Sequence, residues 1–319
     1  MKKAAIVAVV FMLIGIAVIA AVLIAEGPSL DIFDVENYEM TTYHITEDFN
    51  KISVVSNTAD VSFFLSDNGK CMVECYERKN LRYSVATIDD GTLCVELVDS
   101  RKWYEHISFF SFDKDEIKVY LPKAEYESLR IKNDTGDVEI PNVFRFGNVD
   151  ITLSTGDAKC FASVSEKLKI KTSTGAIRVE GVSAGELELS TSTGDIKVSD
   201  VTCTGNIKLR VSTGKTTLTD ISCTDLVSDG STGDITLENV IASGMFDIER
   251  STGDVDLTAC DAASVKIETD TGHVKGTFLT DKIFYAKSDT GSIKVPTSTT
   301  GGLCEIETDT GDIKIETVK

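Results

Sequence analysis

Residues 187–198 read LELSTSTGDIKV, and this stretch decides the fold. Leu187 and Leu189 before Gly194, and Ile196 and Val198 after it, alternate with polar residues. An alternation with a period of two predicts two short strands, each with one buried face. The glycine between them favours a tight corner, because glycine adopts positive φ without strain. Eight to ten polar or small residues then close each rung.

The same pattern recurs at a fixed spacing from residue 129 to residue 319. Consecutive corner glycines are 19 or 20 residues apart. Such a period is typical of a solenoid, in which stacked repeats bury a core that one repeat cannot bury alone. We therefore predict an all-β, single-stranded β-solenoid of about ten rungs over residues 129–319. The structural corner residues are Gly136, Gly156, Gly175, Gly194, Gly214, Gly233, Gly253, Gly272, Gly291 and Gly311.

A threonine precedes every one of these glycines, from Thr135 to Thr310. Its hydroxyl can bond to the backbone of the turn or to the neighbouring rung, so we interpret the threonine column as structural. A regular threonine array also suggests ice binding. One threonine per turn does not make a flat face of two columns, and the structural interpretation is preferred.

The N-terminal segment predicts a membrane anchor. Ala4–Ala25 contains 22 residues without a charge or a proline, which is long enough to span a bilayer as a helix. Lys2 and Lys3 precede it and favour a cytoplasmic N-terminus. We predict a cytoplasmic stub (1–3), a transmembrane helix (4–25) and a tether (26–44), with the repeat domain outside the cell membrane. Cleavage near Ala20 or Ala25 is the alternative.

Residues 45–128 are rich in β patterns but irregular, and we predict that they form an N-terminal cap. Solenoids need protection at their ends, and the C-terminal rung has no comparable cap. Ile52 and Val61 fit the rung pattern around Ala59, which replaces the glycine and indicates a degenerate early rung. Asp67–Gly69 and Asp89–Gly91 predict hairpin turns.

The net charge of −19 disfavours nucleic acids as partners and suits cations or cationic peptides. Carboxylates cluster at the corners, where stacked like charges repel each other and Ca²⁺ could bind weakly. Ala176, Lys215, His273 and Ser292 interrupt the column, so we interpret the acids as solvated and predict no cofactor. The acids that follow the corner glycines are Asp137, Asp157, Asp195, Asp234, Asp254 and Asp312.

The eight cysteines do not indicate a disulfide framework or a zinc site. Cys160, Cys260 and Cys304 fall in apolar columns and are interpreted as small buried hydrophobic residues. Cys203 and Cys223 both lie nine residues after a corner glycine, so they stack on adjacent rungs, where a disulfide is the less favoured alternative.

No pattern in the sequence predicts catalysis. The three histidines, His44, His106 and His273, lie far apart, and no nucleophile elbow, phosphate loop or metalloprotease motif is present. The rungs differ by only one residue in length, which leaves no long loops to build the cleft of a polysaccharide-active enzyme. We therefore predict a protein that is not an enzyme.

Residues 101–112 are rich in aromatic side chains and fit neither a rung nor an alternating strand. Large rings placed just before the repeats could plug the open end of the core. They could also form an exposed loop that contacts a partner or the membrane surface, since Trp and Tyr combine an apolar body with a polar tip. The candidate contact residues are Trp103, Tyr104, Phe109, Phe110 and Phe112.

Three features together resemble a known family: Gly91-Thr92-Leu93 before a strand, Leu121-Pro122 before the repeats, and the repeated Ser-Thr-Gly-Asp corners. Over about residues 45–319 the chain is similar to the "putative adhesin" family of membrane-anchored bacterial proteins, mostly Gram-positive ones, whose function is unknown. The resemblance implies an extracytoplasmic β-solenoid, and some relatives are associated with cell-envelope stress. It supplies no catalytic residues.

These observations favour a binding, adhesion or sensing module at the cell envelope. Its expected partner is an envelope protein, a glycan or a cationic peptide. The first alternative is a scaffold that assembles end to end through the C-terminal rung, and the second is a polysaccharide-active enzyme.

Overall fold

The computed structural model describes residues 39–77, 81–99 and 115–318. The predicted stub, the predicted helix of residues 4–25 and the predicted tether up to residue 38 lie outside these ranges. No helix within the ranges is long and apolar enough to cross a membrane. Contacts group Glu39–Lys319 into one compact unit.

The strands of these ranges belong to one sheet that coils around a continuous core. The irregular region contains β1 (Glu39–Ile45), β2 (Lys51–Ser56), β3 (Ala59–Leu65), β4 (Cys71–Glu77), β5 (Leu81–Ile88), β6 (Thr92–Asp99) and β7 (Asp115–Leu121). The repeats begin with β8 (Glu125–Thr135), β9 (Val138–Ile140), β10 (Arg145–Thr155), β11 (Ala158–Cys160), β12 (Ser163–Thr174), β13 (Ile177–Glu180), β14 (Ser183–Thr193), β15 (Ile196–Cys203) and β16 (Ile207–Thr213). They continue with β17 (Thr216–Cys223), β18 (Leu226–Thr232), β19 (Ile235–Thr252), β20 (Val255–Thr271), β21 (Val274–Phe278), β22 (Lys282–Thr290), β23 (Ile293–Lys294), β24 (Gly302–Thr310) and β25 (Ile313–Thr317).

Parallel pairing between rungs confirms the solenoid of about ten turns. Leu187 pairs with Leu168 on one side and with Ile207 on the other, so equivalent positions stack directly. The predicted apolar columns face the core. Leu189 is 1% exposed and Ile196 is fully buried.

The segment that closes each rung contributes more to the core than its composition predicts. Val201 and Cys203, seven and nine residues after their glycine, are 1% and 3% exposed and pack against the other columns. The interior rungs therefore have three inward-facing stretches instead of the two expected. A second corner precedes the third stretch, where residues six positions after the glycine have positive φ; these are Asp200, Asp220, Asn239 and Ala259.

The degenerate early rung is present, and it stacks in the predicted register. Ile52 of β2 pairs with Leu129, and Val61 of β3 pairs with Val138. On its other side, β2 pairs with β6 and β3 pairs with β7. The β6–β7 rung is thus outermost, although β2–β3 comes first in the chain. Antiparallel strands then continue the sheet, β5 beside β6, β4 beside β7, and β1 beside β4.

The order of rungs is also exchanged at the other end, which differs from the expectation that the C-terminal rung ends the stack. Cys304 of β24 pairs with both Val265 and Phe284. Likewise, Ile313 of β25 pairs with both Val274 and Ile293. The C-terminal rung therefore lies between two others, and β22–β23 is the outermost rung.

An ion pair between a buried lysine and a half-buried aspartate lies at the crossing that produces this exchange. Residues 279–281 carry the chain from β21 past one rung level to β22. At the start of β22, Lys282 is 2% exposed and its Nζ lies 2.5 Å from Oδ1 of Asp261. The Nζ also lies 2.5 Å from Oγ1 of Thr280.

Candidate functional site

The contact residues predicted from the sequence, Trp103, Tyr104, Phe109, Phe110 and Phe112, lie in residues 100–114, outside the described ranges. In the described part of the chain, the candidate site is the surface of the Ser-Thr-Gly-Asp corners, which recur on ten rungs.

The corner glycines are required by a close backbone approach as well as by their φ angles. Nine of the ten have φ between 127° and 159°, and Gly272 lies outside the positive-φ set. A Cβ atom on Gly194 would lie 2.1 Å from the carbonyl oxygen of Gly175 on the previous rung. No larger residue fits there without moving the backbone, so glycine sets the rung spacing at the corner.

The acids after the glycines are exposed or half-exposed, and they also form a hydrogen-bonded ladder. Oδ1 of Asp137 accepts the backbone N–H of Asp157 at 2.8 Å, and Oδ1 of Asp157 accepts that of Ala176 at 2.7 Å. The same bond recurs from Asp195, Asp234 and Asp254 to the next rung. Each carboxylate thus satisfies a corner amide one rung further along.

His273 substitutes for an aspartate in this ladder. Its Nδ1 accepts the backbone N–H of Asp312 at 2.9 Å. Asp312 in turn accepts the backbone N–H of Ser292 at 2.7 Å and its hydroxyl at 2.8 Å. These hydrogen bonds, that of the Ser292 amide first, hold the pKa of Asp312 below its ordinary value. The ladder follows the exchanged rung order of the last three rungs.

A second hydrogen-bonded column lies inside the corner and was missed by the sequence interpretation. In several rungs the side chain three residues before the glycine is a Thr, Ser or Asn that points inward and donates to the corner carbonyl of a neighbouring rung. Thr172 reaches Gly156 O at 3.2 Å, Thr191 reaches Gly175 O at 3.1 Å and Thr308 reaches Gly272 O at 3.1 Å. Burial of a hydroxyl is tolerated because this bond is made. The recurrence of Thr, Ser or Asn at this position was the available signal.

Arg250 occupies that inner column and is 2% exposed. Its guanidinium donates to the backbone oxygen of Ser228 at 3.1 Å, to Ser228 Oγ at 2.8 Å and to the backbone oxygen of Glu249 at 2.8 Å. The small residues Ser228 and Gly230 on the preceding rung leave the space that it fills. Burial lowers the pKa of Arg250 to about 10. The residue is part of the core.

The threonines that precede the glycines point outward, unlike those of the inner column. All ten are exposed, and no hydrogen bond from their hydroxyls is found within the described ranges. The residues one position earlier are Ser or Asp and are also exposed. We call these two columns the corner ribbon. Its first column is Asp134, Ser154, Ser173, Ser192, Ser212, Ser231, Ser251, Asp270, Asp289 and Asp309, and its second is Thr135, Thr155, Thr174, Thr193, Thr213, Thr232, Thr252, Thr271, Thr290 and Thr310.

The geometry of the ribbon suits repeated contacts with an extended ligand. Neighbouring rungs place equivalent side chains about 4.8 Å apart. The glycine approach, the acid ladder and the inner hydroxyl column hold the backbone on both sides of each ribbon residue. A ligand with regularly spaced polar groups would therefore meet a preorganised surface, which lowers the entropic cost of binding.

The model described as "Toastrack DUF4097" matches this chain over residues 49–211 and again over residues 204–319. The chain belongs to the Toastrack family. The solved structures similar to this Toastrack chain include a "putative adhesin" from Bacteroides fragilis, which is 16% identical and covers 87% of this chain and 97% of its own, with a TM-score of 0.39. A "putative adhesin" from Parabacteroides distasonis is 15% identical, with coverages of 89% and 98% and a TM-score of 0.37. A "putative cell adhesion protein" from Clostridium sporogenes is 10% identical, with coverages of 88% and 100% and a TM-score of 0.26. Comparison with curated proteins finds no match.

The described residues of this Toastrack chain hold neither a metal-binding cluster nor a disulfide. Within them, no three His, Cys, Asp or Glu side chains converge as a metal site. All eight cysteines fall in these ranges and are free, including the stacked Cys203 and Cys223, so the disulfide alternative is not observed. Burial raises the pKa of Cys160 and Cys223 to about 12, which keeps both thiols protonated at neutral pH.

Proposed function

We propose that this chain is a non-enzymatic binding module of the cell envelope, held at the outer face of the membrane by its N-terminal helix. The observation that carries the proposal is the corner ribbon, a rigid and exposed array of hydroxyls and carboxylates along ten rungs. Membership of the Toastrack family supplies the fold and leaves the ligand open.

A basic, extended peptide fits the ribbon best. Asp270, Asp309 and Asp289 stack on three adjacent rungs of its first column, and the net charge of the chain is −19. Cationic groups would relieve the repulsion between these stacked acids, and association with them is expected to weaken as salt is added. An envelope glycan would instead use the hydroxyls and would show little dependence on salt.

The binding experiment compares an oligolysine peptide with soluble cell-wall glycan fragments. Asp270→Asn, Asp289→Asn and Asp309→Asn are combined in one variant. The matched control neutralises three exposed acids outside the ribbon by Glu125→Gln, Glu139→Gln and Asp150→Asn. We expect the ribbon variant to bind oligolysine at least ten-fold more weakly than the control. Equal loss in both variants, or binding of glycan alone, would refute the basic-peptide ligand.

The anchoring part of the proposal is supported by Lys2, Lys3 and the uncharged run Ala4–Ala25. Protease added to intact cells should remove the repeat domain, while a cytoplasmic marker protein stays intact. Survival of the repeat domain, on cells whose other surface proteins are cleaved, would contradict an outward orientation.

A further inference from the structure

The outermost rung, β22–β23, has strand partners on one side only. β22 pairs with β24 and β23 pairs with β25, and no described strand lies beyond them. Interior rungs have strand partners on both sides. The amide of Leu187, seven residues before its glycine, donates to Asn206 O on the next rung at 3.1 Å. Phe284 holds that position in the last rung, so its amide faces the open side.

The core is uncovered at the same end. Ile293, which stands in an inward column, is 46% exposed, and the outward-facing Ile283 and Tyr285 beside this end are 37% and 70% exposed. Phe284 and Ala286 continue the inward columns but are only half-buried, whereas their counterparts Phe246 and Ile248 are fully buried. An open strand edge beside exposed apolar side chains is a template for pairing with another strand.

We propose that a second copy of this chain covers β22–β23, with the two β22 strands antiparallel about a two-fold axis. The edge is complementary to itself when Ala286 lies opposite the partner's Ala286. Phe284 then faces the partner's Ser288, which places a large inward side chain against a small one. On the outer face, Tyr285 lies opposite the partner's Lys287, which allows a cation–π contact at both ends of the pair.

The opposite end of the stack does not offer the same edge. There the rungs are followed by the antiparallel strands β5, β4 and β1. The strand edges at that end belong to the antiparallel strands β1 and β5 and differ from the parallel rung edge, so the proposed contact joins two identical edges as an isologous dimer. The described chain enters the unit at β1, on the covered end. The dimer therefore joins two molecules through the ends farthest from Glu39, and it uses a surface separate from the basic-peptide contact proposed above.

The test measures the association of the full chain in detergent micelles by sedimentation equilibrium. We expect a concentration-dependent dimer for the wild type. Tyr285→Lys places like charges opposite each other twice and should raise the dissociation constant at least ten-fold. The double variant Tyr285→Lys with Lys287→Glu restores opposite charges across the pair and should recover the dimer.

Val227→Lys is the matched control, because Val227 occupies the equivalent outward position in mid-stack. It should leave association unchanged. Melting curves are compared for all variants, and the exposure of Tyr285 predicts no loss of fold. A wild type that stays monomeric overturns the proposal. So does a dimer that persists in Tyr285→Lys, since that result places the contact on another surface.

Discussion

At both ends of the stack two rungs lie in an order that differs from the order of the chain, but the two ends are covered differently. At the N-terminal end β2–β3 lies inside β6–β7, and at the C-terminal end β24–β25 lies inside β22–β23. The N-terminal end then continues into antiparallel strands, whereas the C-terminal end stops at an open rung. At the C-terminal end the last strands of the chain are bonded on both sides, which protects that terminus from fraying. Because of this difference, the proposed self-association uses the C-terminal end only.

The largest expected difference in stability is between a substitution in the inner rung β24–β25 and the same substitution in the open rung β22–β23. Ile313 and Ile293 stand two residues after their glycines in the same column, and they are 0% and 46% exposed. Ile313→Asp buries an unpaired carboxylate and should lower the free energy of unfolding by about 4 kcal/mol. Ile293→Asp should cost less than about 1.5 kcal/mol. Chemical denaturation measures both. Similar losses, or a larger loss at Ile293, would show that the rungs follow chain order.

The next prediction compares the cost of replacing a glycine by alanine at the two ends of the stack. A Cβ on Gly311 would lie 1.9 Å from Gly272 O, whereas a Cβ on Gly69, in the turn between β3 and β4, meets nothing within 4 Å. Gly311→Ala should therefore cost about 3 kcal/mol through forced backbone movement. Gly69→Ala should cost only about 1 kcal/mol, because its φ of +69° is strained for alanine. Equal melting temperatures for the two variants would contradict the close approach.

The crossing that creates the open rung should depend on its ion pair. Lys282→Met leaves the half-buried carboxylate of Asp261 without its cation and should lower the free energy of unfolding by about 2 kcal/mol. Lys287, which is 64% exposed and only weakly paired, provides the control. Lys287→Met should change stability by less than about 0.5 kcal/mol. The prediction is checked by urea denaturation, and a neutral Lys282→Met would mean that the crossing is fixed by other contacts.

The smallest expected effect is a dependence on alkaline pH. Burial raises the pKa of Cys304 from 9.0 to about 12. Between these values the unfolded chain releases the thiol proton and the folded chain keeps it, so rising pH favours unfolding. Wild-type stability should fall between pH 8 and pH 10, and Cys304→Ala should reduce that fall by about 1 kcal/mol. The measurement is urea denaturation at the two pH values. The same fall in both proteins would exclude a contribution from this thiol.

Much of the repeat geometry could be predicted from the sequence, because glycine spacing and alternation fix which side chains face inward. Leu189 and Ile196 lie where the pattern places them. The third inward stretch was missed because its residues vary in size and polarity, as Val201 and Cys203 show. The inward hydroxyl of Thr172 was hidden for a different reason: composition alone does not distinguish a bonded inner threonine from a solvated one.

The rung order could not be predicted, since the repeats resemble one another. Phe284 and Cys304 both fit the position seven residues before a glycine, and either can stack on Val265 with the same hydrogen bonds. Which of the two strands stacks on β20 depends on how the chain crosses between rungs and on how much surface each order leaves exposed. The sequence predicted the contact surface in the aromatic segment of residues 101–112 and not in the corner ribbon. The ribbon was visible as a repeat, but its exposure required the structure.

The exchange of the last two rungs is tested most directly by disulfide trapping. Glu268 pairs with Glu307, and Glu307 pairs with Lys287, so Glu268 and Lys287 lie two rungs apart. Adjacent rungs are about 4.8 Å apart, which suits a disulfide, whereas two rungs are about twice that distance. Mild oxidation of Glu268→Cys with Glu307→Cys should give a cross-link that peptide mapping locates, and Glu268→Cys with Lys287→Cys should not. The reverse result would show that the rungs follow chain order and that β22–β23 is not the open end.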